Sequence, residues 1–200
     1  MLRIAAPPFV ATDLLIPSLS SFFGMQPKID IEINSGTARP SAHTPQSDVS
    51  IVIAATPPAD VVATKLLSPR FVAATSKSNS LVARELKPRV FEKQRQIIYR
   101  HRSNLWTRRF TFTGFPATRG GGVNQVNTLP AAISAAERGL GISPVPTFIC
   151  ERRLKCGLLV RIADAEVESD DNYYMVYRPE DRLRSGVRAF LTWALAELRR

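Results

Sequence analysis

Apolar and polar positions alternate along this chain in short blocks whose period changes repeatedly, and the changes outline its elements. Leu2–Ala6 is apolar apart from Arg3, too short for a helix and suited to a short buried strand. Leu14, Leu15, Leu19, Phe22 and Phe23 then recur at three- and four-residue spacings, which predicts a helix to about Phe23 with Thr12 as N-cap, Asp13 in its first turn and Gly24 as C-cap. Pro17 lies inside that pattern and predicts a late start or a kink. Ile29, Ile31 and Ile33 alternate with polar residues as a half-buried strand, and Asp48–Ala54 is a second, β-branched strand beyond a Gly- and Pro-bearing connection. Strand, helix, strand, connection, strand is the order of a mostly parallel α/β lobe.

Further strands are predicted at Val61–Leu67, Arg70–Ala74, Ile97–Tyr99 and Asn104–Gly114, with a turn at Gly120-Gly121-Gly122. Asn127-Thr128 is positioned to cap a helix from Leu129 to about Arg138, closed by Gly139 and Gly141. Then come a strand Ile142–Val145 bounded by Pro144 and Pro146, a short helix Phe148–Leu154, strands Leu158–Ile162 and Tyr173–Tyr177, and an amphipathic helix Asp181–Leu198. No repeat and no low-complexity tract interrupts this order.

Composition changes the picture little. The 200 residues are 44% hydrophobic and 22% charged, an ordinary globular balance. The net charge of +10 raises the question of nucleic acid, but it is concentrated: Arg84–Arg119 holds ten Lys or Arg against two acids. Such a stretch suits a solvated face or an anion-attracting surface as well as a DNA contact. Cys150 and Cys156 are not spaced as a CxxC pair and lie far from His43 and His101, so neither a metal site nor a disulfide framework is supported. The opening apolar run ends at Pro7-Pro8, short of an export signal, and no stretch reads as the ~20 apolar residues of a membrane span. A cytoplasmic protein without membrane contact is the expectation. Nucleotide-binding glycine loops and the Ser-centred hydrolase motif are absent, and an enzyme is not expected.

The segments themselves carry a resemblance. Leu2-Arg3-Ile4-Ala5, Leu14-Leu15-Ile16-Pro17, Ser47-Asp48-Val49-Ser50-Ile51 and Phe71-Val72-Ala73 follow one another as in the effector-binding domain of LysR-type transcriptional regulators. The most specific piece runs from Ala131 to Pro146 and is similar to that family's A-x-x-G-x-G-I-x-x-x-P signature. Tyr174–Tyr177 and Phe190 to Trp193 complete a match over essentially the whole chain, nearest the glycine-cleavage-activator-like subgroup. The resemblance implies an α/β fold of two Rossmann-like lobes joined by two crossover strands, like type II periplasmic binding proteins. Lobe one would be residues 1–72 plus 172–200, and lobe two 73–171. It implies a small-molecule effector in the cleft between lobes, a homodimer or homotetramer, and no cofactor. The dimer would set helix one, about Asp13–Phe23, beside the signature helix Leu129–Arg138 of the other subunit. DNA would be met only through a winged helix-turn-helix that these residues do not include, as in a separated piece or a truncated gene product, so specific operator binding is not expected of this chain by itself. Pro40 and Pro45 also depart from the family, which is usually helical after Thr37.

Eight residues are candidates for effector contact. Helix N-termini present free N–H groups to anions, which singles out Pro8, Phe9 and Thr12 after the first strand and Asn127 and Thr128 before the signature helix. The plain alternative for Thr12 and Thr128 is capping alone. Thr37 matches a family position where a hydroxyl meets the effector. Tyr99 and Arg100 follow a lobe-two strand, and a guanidinium there suits a carboxylate, so an anionic effector is favoured. A stand-alone solute-binding protein of the same fold is the alternative function, disfavoured by the lack of a visible export signal.

Overall fold

The structure is a computed structural model of the chain. It describes residues 1–36, 42–79, 94–100, 121–162 and 166–199. In chain order the elements are β1 (Leu2–Ala5), α1 (Pro8–Met25), β2 (Ile31–Asn34), β3 (Val49–Ala54), β4 (Val62–Leu67), β5 (Arg70–Thr75), β6 (Gln96–Tyr99) and β7 (Val123–Val126). They continue with α2 (Leu129–Glu137), β8 (Ser143–Pro146), α3 (Thr147–Lys155), β9 (Val160–Arg161), β10 (Val167–Glu168), β11 (Asn172–Tyr177), a 3₁₀ turn Pro179–Leu183 and α4 (Ser185–Glu197). They form two compact units, Met1–Pro69 with Asp170–Arg200, and Arg70–Ser169.

The first unit holds a five-stranded sheet in the order β2-β1-β3-β11-β4. β1 is parallel to β2 and β3, whereas β11 is antiparallel to β3 and β4. The expected parallel lobe is therefore parallel only on its β2-β1-β3 side, because β11 runs against both of its neighbours. β3 lies between β1 and β11 with Val49–Ile53 all buried, which is why its sequence lacks the alternation of a one-sided strand. α1 and α4 pack together through Phe22, whose ring is 5.9 Å from Phe190 and 5.3 Å from Trp193 in edge-on contacts. Trp193 Nε1 donates to Ser21 Oγ at 2.8 Å, satisfying the indole.

α1 differs from its expected bounds. It starts at Pro8, not at Thr12 or Asp13, and ends at Met25 with Gln26 as C-cap, past Gly24. Proline at the first position needs no N–H, so Pro8 is a natural start. Pro17 further on cannot bond four residues back and would crowd the Asp13 carbonyl. The chain accommodates this with a wide π turn at Ala11–Leu15 directly ahead of the regular helix Ile16–Met25. Counted as one run, Pro8–Met25 has 18 residues and is apolar enough to cross a membrane by length and composition, which corrects the expectation that no segment was. Phe9, Val10, Leu15 and Phe22 are buried in the first unit's core, the pattern of a core helix.

In the second unit β5 pairs antiparallel with β8, β9 and β10, and β6 pairs parallel with β7. A parallel bridge, Gln96↔Ile142, links β6 to the start of β8. That junction depends on Gly141. Its φ is +151°, and a Cβ there would stand 2.3 Å from the Arg95 carbonyl oxygen, the acceptor of the Ile142 N–H at 2.9 Å. Gly139, at φ +73°, ends α2 as expected. Pro144 lies within β8, whereas Pro146 is its last residue and closes it as expected. β7 and β10, not expected from the sequence, are a four-residue and a two-residue strand. The expected strand Asn104–Gly114 lies outside the described residues.

Candidate functional site

The second unit brings four of the expected residues, Tyr99, Arg100, Asn127 and Thr128, to the ends of two neighbouring strands. β6 and β7 are in parallel register with Tyr99 opposite Val126, so Arg100 and Asn127 leave the carboxyl ends of neighbouring strands at the same level. Adjacent strands are about 5 Å apart, within reach of one small ligand. Arg100 and Asn127 are exposed, Thr128 is half-buried, and Tyr99 is buried. Thr128 is the N-cap of α2: its Oγ1 accepts the Ala131 N–H at 3.4 Å. The hydroxyl hydrogen is still available for donation. Pro130 has no N–H, so Leu129 supplies the first-turn backbone donor.

In the first unit β1 runs directly into α1. Pro7 caps the helix without a side-chain bond, which leaves the Phe9 and Val10 N–H groups at the first turn. Pro8 is half-buried. The Phe9 ring is buried edge-on to Tyr173 at 5.8 Å, so its backbone is the part at the helix start. Thr12 is not an N-cap. Its hydroxyl hydrogen has two acceptors within its own helix, the Pro8 carbonyl at 3.0 Å and Asp13 Oδ2 at 3.1 Å. Thr37 lies outside the described residues, as do His101 and most of the basic stretch.

Sequence reasoning missed a polar cluster at the opposite end of the first unit's parallel strands. Asp48, fully buried at the head of β3, accepts the Arg3 N–H at 2.8 Å, Arg3 Nη2 at 3.1 Å and Arg184 Nη1 at 2.6 Å. Arg184 also reaches Asp181 at 3.5 Å, and Arg178 Nε donates to Asp181 at 2.7 Å. Burial pushes the Asp48 carboxyl upward, but the Arg3 N–H, the Arg3 guanidinium and Arg184 outweigh it and hold its pKa at about 2. A carboxylate directly ahead of a strand that is apolar apart from Ser50 was the available signal. A groove of about 690 Å³, lined by Phe22, Met25, Ala189, Thr192 and Trp193, runs between α1 and α4. Among the described residues no cluster of His, Cys, Asp or Glu suits a metal ion. Cys150 is buried and Cys156 exposed, both as thiols.

Parallel strands leading into helix starts, repeated in two units, define a ligand-binding α/β fold of the type II periplasmic-binding-protein class. The LysR substrate binding domain family matches residues 1–199, and the chain belongs to that family, one of transcription-regulator domains and not an enzyme class. It is 25% identical over 197 residues to the uncharacterized HTH-type transcriptional regulator YhjC of Escherichia coli K12, covering 96% of this chain and 66% of that protein. The chain thus spans about two-thirds of that relative's length. Among solved structures, the effector domain of AmpR of Pseudomonas aeruginosa superposes with a TM-score of 0.81 at 22% identity, covering 98% of this chain and 94% of that one. The Citrobacter freundii AmpR effector-binding domain gives 0.82 at 20%, with 98% and 97% covered. Full-length AphB, a Vibrio cholerae virulence activator, gives 0.70 at 19%, with 98% and 68% covered. These likenesses show the shared fold.

Proposed function

We propose that this chain is the effector-binding and dimerisation domain of a cytoplasmic LysR-type transcriptional regulator, and that it senses a small anion without chemically changing it. The observation that carries the reading is the β6–β7 register, which sets Arg100 beside Asn127 and Thr128 at the start of α2. A guanidinium, an amide and a hydroxyl at a helix start together match a carboxylate. Pro8, Phe9 and Thr12 at the start of α1 are assigned as further effector contacts, Phe9 through its N–H. Thr37 is assigned to it from the family resemblance alone, and Tyr99 holds the end of β6 from which Arg100 projects. The two units serve as the two lobes, expected at 1–72 with 172–200 and at 73–171. Contact with DNA belongs to a part of the regulator that these residues do not include, and placement in the glycine-cleavage-activator-like subgroup rests on the motif resemblance.

A thermal-shift screen of small carboxylates and phosphates tests this. A true effector at about 100 times its dissociation constant adds about 2.7 kcal/mol of stability. Arg100→Ala should abolish the shift while leaving the unliganded melting temperature unchanged. A shift that survives Arg100→Ala and Thr128→Ala, or consumption of the ligand, would overturn the assignment.

A further inference from the structure

The segment Ala42–Asp48 is fastened to the first unit by a histidine that lacks half of its hydrogen bonds. His43 Nδ1 is 2.9 Å from Ser50 Oγ, and the same oxygen accepts the Thr44 N–H at 3.0 Å. Ser50 is fully buried and its hydroxyl has no other acceptor among the described residues, so the tautomer that satisfies it directs its hydrogen to His43 Nδ1 and puts the ring's own proton on Nε2. Nε2 is buried with no hydrogen-bond partner among the described residues. The charged groups facing the ring come from two sides: Arg178 and Asp181 from the connection after β11, and Asp48 from the head of β3. Arg178 also donates to the Pro45 carbonyl at 3.2 Å, so the cation that faces the ring holds the same segment.

We propose that His43, Ser50 and Arg178 form an acid-released latch on the Ala42–Asp48 segment. The latch is complete only with a neutral ring. A second ring proton must enter at Nδ1, where it displaces the Ser50 hydroxyl hydrogen and leaves it without an acceptor in a buried position. The resulting imidazolium faces the Arg178 guanidinium that holds Pro45. Asp181 and Asp48 oppose this repulsion, but each is already bound to arginine, Asp181 to Arg178 and Arg184, and Asp48 to Arg3 and Arg184. Burial first, and Arg178 second, lower the His43 pKa below its ordinary 6.5. A histidine lowered on folding contributes stability that is complete above 6.5 and is lost as pH falls from there through the folded value.

NMR titration of the full chain tests the latch, with His101→Gln used to leave His43 as the one ring signal. His43 should titrate below 6.5, and Ser50→Ala should raise its pKa. Amide exchange, corrected for its intrinsic pH dependence, should show the Thr44 and Ser47 protection falling about tenfold as His43 takes up its proton. His43→Gln should remove that acid step while the rest of the sheet stays protected. A His43 pKa at or above 6.5, or equal acid loss in wild type and His43→Gln, overturns the latch. If His43→Gln does not fold, the wild-type titration and the direction of the Ser50→Ala shift are sufficient to support or overturn it.

Discussion

A single buried carboxylate ties three distant stretches of the first unit together. Asp48 gathers Arg3 from β1 and Arg184 from the head of α4, and its pKa of about 2 against an ordinary 3.8 corresponds to about 2 kcal/mol at neutral pH. The pKa is lowered, so this stability is complete above 3.8 and disappears as pH falls through about 2. Asp48→Asn removes the charge and leaves two arginines facing an amide. Urea unfolding at pH 7 should show a loss of about 2–4 kcal/mol, near the cost of breaking a buried ion pair, and the acid transition should lose its steepest part. The sequence placed Asp48 at the start of a strand, one residue ahead of the observed β3, yet nothing local names its partners, which stand 45 and 136 positions away.

At the scale of elements, periodicity carried most of the reading and local chemistry corrected it. Strands β3, β4, β5 and β11 and helices α2 and α3 lie within two residues of the expected bounds, because each has an apolar run or stripe closed by Gly or Pro or by a turn. α1 was misjudged at its start because a proline-led turn shows no capping side chain, and the apolar stripe only begins at Leu14. Thr12 therefore lost its capping role, whereas Thr128 kept one. Thr128→Ala should cost about 1 kcal/mol in a thermal melt without ligand, the usual effect of a lost N-cap. Thr128→Ser, which retains the hydroxyl, should restore it. A variant that melts normally but no longer responds to effector would separate ligand contact from capping.

At the scale of the molecule, the family was legible because motif order survives where single motifs are weak. The alignment of the ends of β6 and β7 was not, since it depends on the register of β7, a strand whose Asn and Gln hide it from hydropathy. Ile16, Phe23 and Met25 stay 54%, 40% and 58% exposed along α1, apolar surface that suits a partner subunit. Static light scattering at tens of micromolar protein should return twice the monomer mass, and Phe23→Glu with Met25→Glu should return it to the monomer. The arrangement of the two units also bears on how the protein is made. The second unit is one uninterrupted stretch, Arg70–Ser169, while the first draws on both chain ends. Its later-made piece is not peripheral: β11 fills the place between β3 and β4 in the sheet. On the ribosome, β3 and β4 must therefore wait with facing edges open while the whole second unit is translated, at about 5–20 residues per second. Those seconds are when the nascent chain is most exposed to aggregation, and a chaperone that covers bare strand edges would act then.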